Sequence, residues 1–455
     1  MNAFDDKYTR SARLRIGSMI RTACGAALAS LLVAACTGGN LVPSPAVQMD
    51  LKTLDQMDQK IDRMIIVTVA NPSESVPMLA GTTAGAYDGA PGYTAYGSAR
   101  AMMTALTKDY GLREVTAWPI APLQVHCAIL EVTGKQTRAE VLAMLSHDKR
   151  VKLAQPLQVF HTQSSSSAPG YDGNYINLEQ GLRDIDALKV QRVSQGNDIL
   201  VAVIDTGIDV SHPDLAGRIS FARDFVERDP VLFKQDKHGT AVAGVIAANP
   251  QNGRGIVGIA PGAKILALKA CWQSPVSERD SSPSGAICNS LTLAQALTTA
   301  IKLHAQVINL SLSGPPDPLL TQLVNYALRH GSIVVGAVPP DGNLDAFPVG
   351  IPNVIPADVA GNAVRSDSVI YAPGHDVLTL TPGGHYDFLS GSSISTACVS
   401  GIAALMLAVD RHLDAEHVYA ALKASSGAGP TRMVNACNAL AAVSANSCAA
   451  TGVAH

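Results

Sequence analysis

Short apolar runs alternate with helical patterns over most of the second half of the chain. Four of these runs, each flanked by turn residues, predict buried strands at 199–204, 265–268, 307–310 and 333–335. Continuous apolar strands separated by helices are typical of a parallel sheet that is covered on both faces. The pattern therefore predicts an α/β domain with a doubly wound, mostly parallel sheet over residues 175–448, followed by a tail at 449–455.

A smaller pattern precedes it. Its order is strand, helix, strand, helix and extended run, predicted at 65–69, 98–109, 125–132, 137–148 and 151–160. Thr137 and Glu140 form a capping box at the start of the second helix. This order predicts a split βαβ unit, a small ferredoxin-like α+β domain, over residues 61–163. Four serines open the segment 164–174, whose composition predicts a flexible linker.

The N-terminus has the pattern of a targeting segment. Five basic residues precede an uncharged apolar stretch, 22–35, which is too short to span a bilayer as a helix. The run 32–36, Leu-Val-Ala-Ala-Cys, resembles a bacterial lipoprotein box, which implies a signal peptide at 1–35, lipidation of Cys36 and a tether at 36–60. The alternative is an ordinary cleaved signal with a chance cysteine. Thr37 is not aspartate, so the resemblance implies the outer membrane in a two-membrane cell.

Composition adds a limit on partners and a count of cysteines. The 34 basic and 37 acidic residues give a net charge of -3, near -6 without residues 1–35, so no basic surface is expected that would bind nucleic acid.

Export permits disulfides. Six of the eight cysteines remain beyond Cys36, and nearness favours the pairs Cys271–Cys288 and Cys437–Cys448. Cys127 and Cys398 are then expected to be free and buried.

Three segments of the α/β domain carry candidate chemistry. Asp205 ends a buried strand beside a glycine turn, at the edge where open α/β sheets bind ligands. His238 opens a helix of small residues, and Ser393 lies at the N-terminus of an apolar helix, where free N–H groups favour a developing anion. A serine needs a base to become a nucleophile, and the imidazole needs a third group to fix its tautomer.

With these motifs in the order Asp, His, Ser, the domain resembles a subtilisin-like serine protease, a subtilase. The run 308–314 resembles the family's substrate-binding strand, and 371–374 resembles the segment before the nucleophile. The resemblance implies an orienting carboxylate at Asp205, a general base at His238 and a nucleophile at Ser393. It also implies that a peptide substrate pairs with Ser311, Leu312, Ser313 and Gly314. Calcium is frequent in the family, but no carboxylate cluster predicts a metal site or another cofactor here.

The sequence departs from the family pattern at the oxyanion. The family offers an asparagine side chain after a strand, and ungapped register places Pro340 there, which has no donor. The replacements are Asn343, the N–H of Gly342, a protonated Asp341, or the Ser393 backbone N–H alone. The helix after Ser393 also has Ala397-Cys398 where the family has Pro-His. The rival interpretations are an inactive, lipid-anchored peptide-binding scaffold and an esterase.

The unit at 61–163 resembles the family's propeptide in element order and position. The resemblance implies an intramolecular inhibitor whose last strand lies in the cleft and is cut autocatalytically in the 160–174 region. The alternative is an unrelated adaptor domain. Such a cut would separate the catalytic domain from a lipid on Cys36, so we expect release once the propeptide is degraded.

Overall fold

A computed structural model describes most of the chain beyond residue 49. The described ranges are 50–72, 95–163, 165–166, 180–227, 229–249, 255–273, 285–362, 366–427 and 432–444. The predicted signal peptide, Cys36 and the predicted tail lie outside these ranges, as do Cys448 and most of the predicted linker.

The N-terminal part forms a βαββαβ unit behind a short leading helix. Its elements are α1 (Leu51–Gln59), β1 (Met64–Ala70), α2 (Gly97–Asp109), β2 (Leu112–Ile120), β3 (Val125–Val132), α3 (Arg138–Leu145) and β4 (Val151–Pro156). The four strands form an antiparallel sheet in the order β2-β3-β1-β4, the arrangement of a split βαβ unit. The predicted capping box at Thr137 and Glu140 begins α3, which ends three residues before the predicted Asp148.

Two short strands continue from this unit, and the α/β domain follows. They are β5 (Val159–Thr162) and β6 (Ser165–Ser166). The elements of the α/β domain are α4 (Gln180–Asp184), α5 (Ala187–Val190), β7 (Leu200–Asp205), β8 (Ile219–Asp224), α6 (Pro230–Gln235), α7 (Lys237–Ala247), β9 (Lys264–Lys269), β10 (Cys271–Trp272), β11 (Ile287–Asn289), α8 (Ser290–Lys302), β12 (Val307–Leu310), β13 (Leu312–Ser313), α9 (Pro318–Arg329), β14 (Ile333–Ala337), β15 (Ile355–Val359), β16 (Ile370–Ala372), β17 (Val377–Thr381), β18 (His385–Ser390), α10 (Ser392–Val409), α11 (Ala415–Ser425) and α12 (Ala436–Val443).

Seven strands form the predicted parallel sheet. Their order is β16-β15-β14-β12-β7-β9-β8, and every paired neighbour runs parallel. All four predicted strands belong to it, so the α/β interpretation is confirmed. Because parallel strands end at the same edge, Asp205 at the end of β7 lies where β12 and β14 also end.

Helix α10 packs in the core of this domain. It is long and apolar enough to cross a membrane, but 89% of it is buried inside the protein, as in a core helix of a globular domain. No other helix in the described ranges meets that criterion. A second apolar core joins the two halves of the chain, since Trp118, Cys127 and Phe160 share it with Leu291 and Leu319.

The extended run predicted at 151–160 is in fact two strands in different sheets. Strand β4 pairs with β1, whereas β5 pairs with β11 and β13 of the α/β domain. The chain changes partners at 157–158, where the Gln158 N–H donates to Ser290 Oγ at 3.0 Å. The linker prediction also needs correction at Ser165–Ser166, which pairs with β18 as β6.

The cysteines follow the predicted pattern where they are described. Cys271 and Cys288 form a disulfide that joins β10 to β11. Cys127 and Cys398 are free and buried. Cys437 is disulfide-bonded, and its predicted partner Cys448 lies outside the described residues.

Candidate active site

Two of the predicted site residues form a buried pair. Asp205 is fully buried at the end of β7, and its Oδ1 lies 2.6 Å from Nδ1 of His238. The same Oδ1 accepts a hydrogen bond from the backbone N–H of Thr206 at 2.6 Å. These contacts fix the imidazole so that Nε2 points away from the carboxylate, as a base for a neighbouring hydroxyl requires.

Local packing brings the histidine to the aspartate. His238 is the second residue of α7, and the next residue, Gly239, donates its N–H to Thr206 Oγ1 at 2.9 Å. A methyl group at Gly239 would collide with the backbone of Thr206 and Gly207. Glycine therefore allows the first turn of α7 to touch the end of β7.

Ser393 lies in the first turn of α10 and contacts the protein's own N-terminal segment. Its backbone N–H donates to the carbonyl oxygen of Gln163 at 3.2 Å, and its Oγ accepts from the Gln163 N–H at 3.1 Å. The Oγ donates to the carbonyl of Ser311 at 2.9 Å. In the described part of the chain, His238 Nε2 is buried without a hydrogen-bond partner.

The neighbouring serines are occupied elsewhere. Ser392 Oγ donates to the carbonyl of Val338 at 2.7 Å, and Ser395 Oγ donates to the carbonyls of Ala372 and Pro373. Only Ser393, of these three, contacts the segment in the cleft. Ser393 is also the serine that the motif register predicts as the nucleophile.

The segment around Gln163 runs through the cleft as an added strand. His161 pairs with Ser313, and Phe160 pairs with Cys288 on the other side. Beyond Gln163, Ser165 pairs with Ser390 of β18. Leu312 and Ser313, two of the residues predicted to pair with a substrate peptide, thus pair with an extended segment of the chain itself.

Phe160 anchors this strand. It is fully buried, and its ring packs edge-on against Phe347 with centroids 5.3 Å apart. A methyl group at Gly314 would overlap the Phe160 ring. Gly314, predicted from the resemblance as substrate-binding, thus leaves the space that this ring fills.

The loop after β14 borders the same cleft, and two of its side-chain oxygens accept hydrogen bonds from backbone N–H groups of the loop itself. Asn343 Oδ1 accepts from the Asp345 N–H at 2.9 Å, and Asp341 Oδ1 accepts from the Asn343 N–H at 3.1 Å. The Gly342 N–H donates to Pro339. Within the described residues, the hydrogen bond to the Gln163 carbonyl comes from the Ser393 N–H.

A buried lysine lies close behind the Asp205–His238 pair. Lys269 pairs in register with Asp205 on the adjacent strand, and its Nζ lies 2.7 Å from Asp236 Oδ2 and 3.5 Å from Glu227 Oε1. Burial raises the pKa of Asp236, and the Lys269 ammonium opposes that rise. Asp236 Oδ2 also accepts from the Gly207 N–H at 2.8 Å, so this ion pair braces the loop that leaves β7.

Sequence reasoning missed several residues of this site. Lys269 and Asp236 carry no motif, because their proximity depends on the pairing of β7 with β9. Gln163 looked like the start of a linker. Below the nucleophile, Asn309 accepts from Ser400 and donates to Ser311, whose Oγ donates to the Ser393 carbonyl at 3.0 Å. No signal in one sequence marks that network.

The described residues contain no group of three His, Cys, Asp or Glu side chains that could hold a metal ion. Asp209, His212 and Asp214, which lie near Asp205 in the sequence, accept hydrogen bonds that hold the loop after β7. Asp209 accepts hydrogen bonds from the backbone N–H groups of Ser211 and Gly383, while Asp214 accepts from the Ile256 N–H and the Tyr386 hydroxyl.

Comparisons with known proteins agree with this arrangement. The family model Peptidase_S8, the subtilase family, matches residues 196–439. The thermophilic serine proteinase of Bacillus sp. (strain AK1) is 33% identical over 282 residues, covering 60% of this chain and 67% of that protein. Thermitase of Thermoactinomyces vulgaris is 34% identical over 262 residues, covering 55% and 89%.

A solved structure extends the likeness of fold. Fervidolysin from Fervidobacterium pennivorans, a keratinolytic enzyme related to subtilisin, superimposes with a TM-score of 0.62 at 21% identity. The match covers 83% of this chain and 61% of fervidolysin. The family match over more than half of the chain, and relatives of this identity and coverage, lead to one conclusion: the chain belongs to the subtilase family of subtilisin-like serine proteases.

Proposed function

We propose that the protein is an exported serine endopeptidase whose precursor cuts its own chain within the 160–174 region, at the bond after Gln163. One observation carries this proposal: the Gln163 carbonyl and N–H are both hydrogen-bonded to Ser393, the serine that the motif order groups with the Asp205–His238 pair. The bond after Gln163 thus lies at the nucleophile, with paired strands on either side of it.

The proposed reaction uses three side chains. Ser393 Oγ leaves the Ser311 carbonyl, gives its proton to His238 Nε2, and bonds to the Gln163 carbonyl carbon. The Ser393 N–H stabilises the resulting oxyanion. As the carbon–nitrogen bond breaks, His238 returns the proton to the nitrogen of Ser164. Water then gives a proton to His238 Nε2 and bonds to the acyl carbon. As the ester bond breaks, His238 returns that proton to Ser393 Oγ, and the freed Gln163 carboxylic acid loses its own proton to solvent, while Asp205 orients the imidazole throughout.

The βαββαβ unit is proposed to act as the intramolecular inhibitor. Strand β5 fills the groove that a peptide substrate would use, pairing with β11 and β13. The shared core around Trp118 and Phe160 holds the unit on the α/β domain independently of the bond after Gln163. We therefore expect the cut enzyme to remain occupied until this unit is degraded.

Membrane attachment through a lipid on Cys36 is a separate part of the proposal. Its support is the lipoprotein-like run before Cys36, which lies outside the described residues. Mass spectrometry of the N-terminal peptide should find acylated Cys36, and Cys36→Ala should remove the N-terminal fragment from membranes. If the catalytic domain is found only within acylated full-length protein, the prediction that it is released is wrong.

The test of the protease itself compares wild type with Ser393→Ala. Wild type should yield a fragment beginning at Ser164 and react with a serine-directed fluorophosphonate, whereas Ser393→Ala should stay full-length and inert. Ser220→Ala, at an exposed position of β8, controls for the loss of a serine and should behave as wild type.

A result in which wild type and Ser393→Ala are equally uncut and unlabelled would overturn the protease proposal. The peptide groove would then serve binding alone, as in a scaffold.

A further inference from the structure

The side chain of Gln163, which contacts the nucleophile through its backbone, lines a cavity. The cavity has a volume of about 450 Å³ and lies between the end of β13 and the loop after β14. The Gln163 Nε2 donates to Ser313 Oγ at 2.9 Å and to the carbonyl oxygen of His161 at 3.2 Å. Both protons of the amide therefore have acceptors.

Ser313 is a built part of this cavity. It is only 5% exposed, and its backbone is fixed by pairing with β5. A buried hydroxyl without a partner costs free energy, because it has lost its hydrogen bonds to water. A substrate side chain that donates a hydrogen bond at this depth recovers that loss, and an apolar side chain does not.

The rest of the cavity favours a neutral amide over a charged acid. Pro315, Pro339 and Pro340 form walls that lack N–H donors. Asp341 lines the same cavity, so a glutamate carboxylate would face a like charge as well as the His161 carbonyl. A glutamate in place of Gln163 would fill the same volume but supply no N–H.

We propose that Ser313 reads the residue before the cleaved bond and makes the enzyme selective for glutamine there. This inference rests on the proposed protease function and adds the class of substrate: extended segments with a neutral amide donor immediately before the cleaved bond.

The experiment uses the cut enzyme after its βαββαβ unit has been degraded, and quenched fluorescent peptides that copy residues 159–167, with Gln, Glu or Leu at the position of Gln163. We expect kcat/KM for the Gln peptide to exceed that for Leu by about tenfold, the effect of one or two hydrogen bonds, and to exceed that for Glu by more. Ser313→Ala should bring the Gln-to-Leu ratio close to one.

Two further variants separate the causes. Asp341→Asn should raise the Glu-to-Leu ratio, because it removes the like charge and leaves Ser313 in place. Ser220→Ala should leave every ratio as in wild type.

The outcomes distinguish the two proposals. If no peptide is cut and the fluorophosphonate fails to label Ser393, the protease function fails. If peptides are cut but the Gln-to-Leu ratio is near one, or is the same in Ser313→Ala, the protease stands and the reading of glutamine by Ser313 is wrong.

Discussion

The oxyanion site is where single residues decide the rate. The Gln163 carbonyl receives its described hydrogen bond from the Ser393 N–H, while the Oδ1 atoms of Asn343 and Asp341 accept hydrogen bonds within their own turn. Pro340 occupies the register at which the family supplies an amide. One oxyanion donor is typically worth about 10²–10³ in rate. We infer that the enzyme cuts more slowly than a family member that offers the asparagine side chain to the oxyanion.

Pro340→Asn should therefore speed the cut after Gln163. A side-chain amide at this position would add a second donor beside the carbonyl, and we expect an acceleration of roughly 10-fold or more. The measurement is the rate at which newly synthesised precursor disappears on a gel. Pro340→Ala supplies no donor and is the matched control. Equal rates in both variants would show that position 340 does not face the oxyanion.

A second residue-scale prediction concerns the space beside Phe160. Gly314→Ala places a methyl group against the Phe160 ring, and overpacking of this kind costs about 1–3 kcal/mol. The cut should slow by roughly tenfold, because the strand seats less well. Adding Phe160→Val should restore the rate by making room for the methyl group. Failure of the double variant to recover would mean that the glycine acts through its backbone.

At the scale of elements, periodicity was a good guide where strands are buried on both faces. The apolar runs of the parallel sheet and the capping box of α3 were predictable from sequence. Strand β2 was not, because it is half exposed and carries Arg113, Glu114 and Pro119 within a broken alternation. The division of 151–160 into β4 and β5 was also hidden, since both strands are extended and only their partners differ.

The disulfide between β10 and β11 gives a prediction at this scale. Strand β11 lies between β10 and β5, so the Cys271–Cys288 bond stiffens one wall of the groove. Replacing both cysteines with alanine should lower the free energy of unfolding by roughly 3 kcal/mol, given a separation of 17 residues. The cut after Gln163 should also slow.

Chemical unfolding and the cleavage assay measure the two effects of that change. Cys437→Ala removes a different disulfide and is the matched control, which should lose stability without slowing the cut as strongly. Equal slowing in both variants would show that the groove does not depend on the β10–β11 link.

For the whole molecule, a buried histidine in the βαββαβ unit makes stability depend on pH. His126 is 6% exposed, its Nδ1 has no hydrogen-bond partner among the described residues, and Arg100 and Glu114 line the same cavity. Burial, with a further contribution from the charge of Arg100, lowers its pKa. Below a pH of about 6.5 the unfolded chain then binds more protons than the folded one, and stability falls as pH decreases.

The corresponding experiment uses the uncut Ser393→Ala precursor at pH 7.5 and 5.5. Hydrogen exchange in β1 and β3 should report that the free energy of unfolding falls by at most about 1.4 kcal/mol for each unit of decreasing pH. His126→Gln should reduce this dependence on pH. His147→Gln, at an exposed position, should keep the wild-type slope. An unchanged slope in His126→Gln would assign the pH dependence to other groups.

How the halves of the molecule fit together was the least predictable level. Motifs named Asp205, His238 and Ser393, but Gln163 became meaningful only once β5 paired with β13 and fixed the register in the cleft. The mixed core of Trp118, Cys127 and Leu319 likewise depends on contacts between distant parts of the chain, which periodicity does not encode.

The strand that crosses the cleft also predicts the kinetic order of the proposed cleavage after Gln163. Because β5 and Ser393 belong to one chain, the local concentration of this bond at the nucleophile is fixed by folding and not by the amount of protein. Half-times for precursor loss should therefore be unchanged on dilution, and added uncut precursor should be a poor substrate for its neighbours. If the proposed cut occurs, the pairing of β5 with β11 and β13 would leave the new carboxylate of Gln163 beside the Ser393 N–H, so the first product would also be the first competitor of every later substrate.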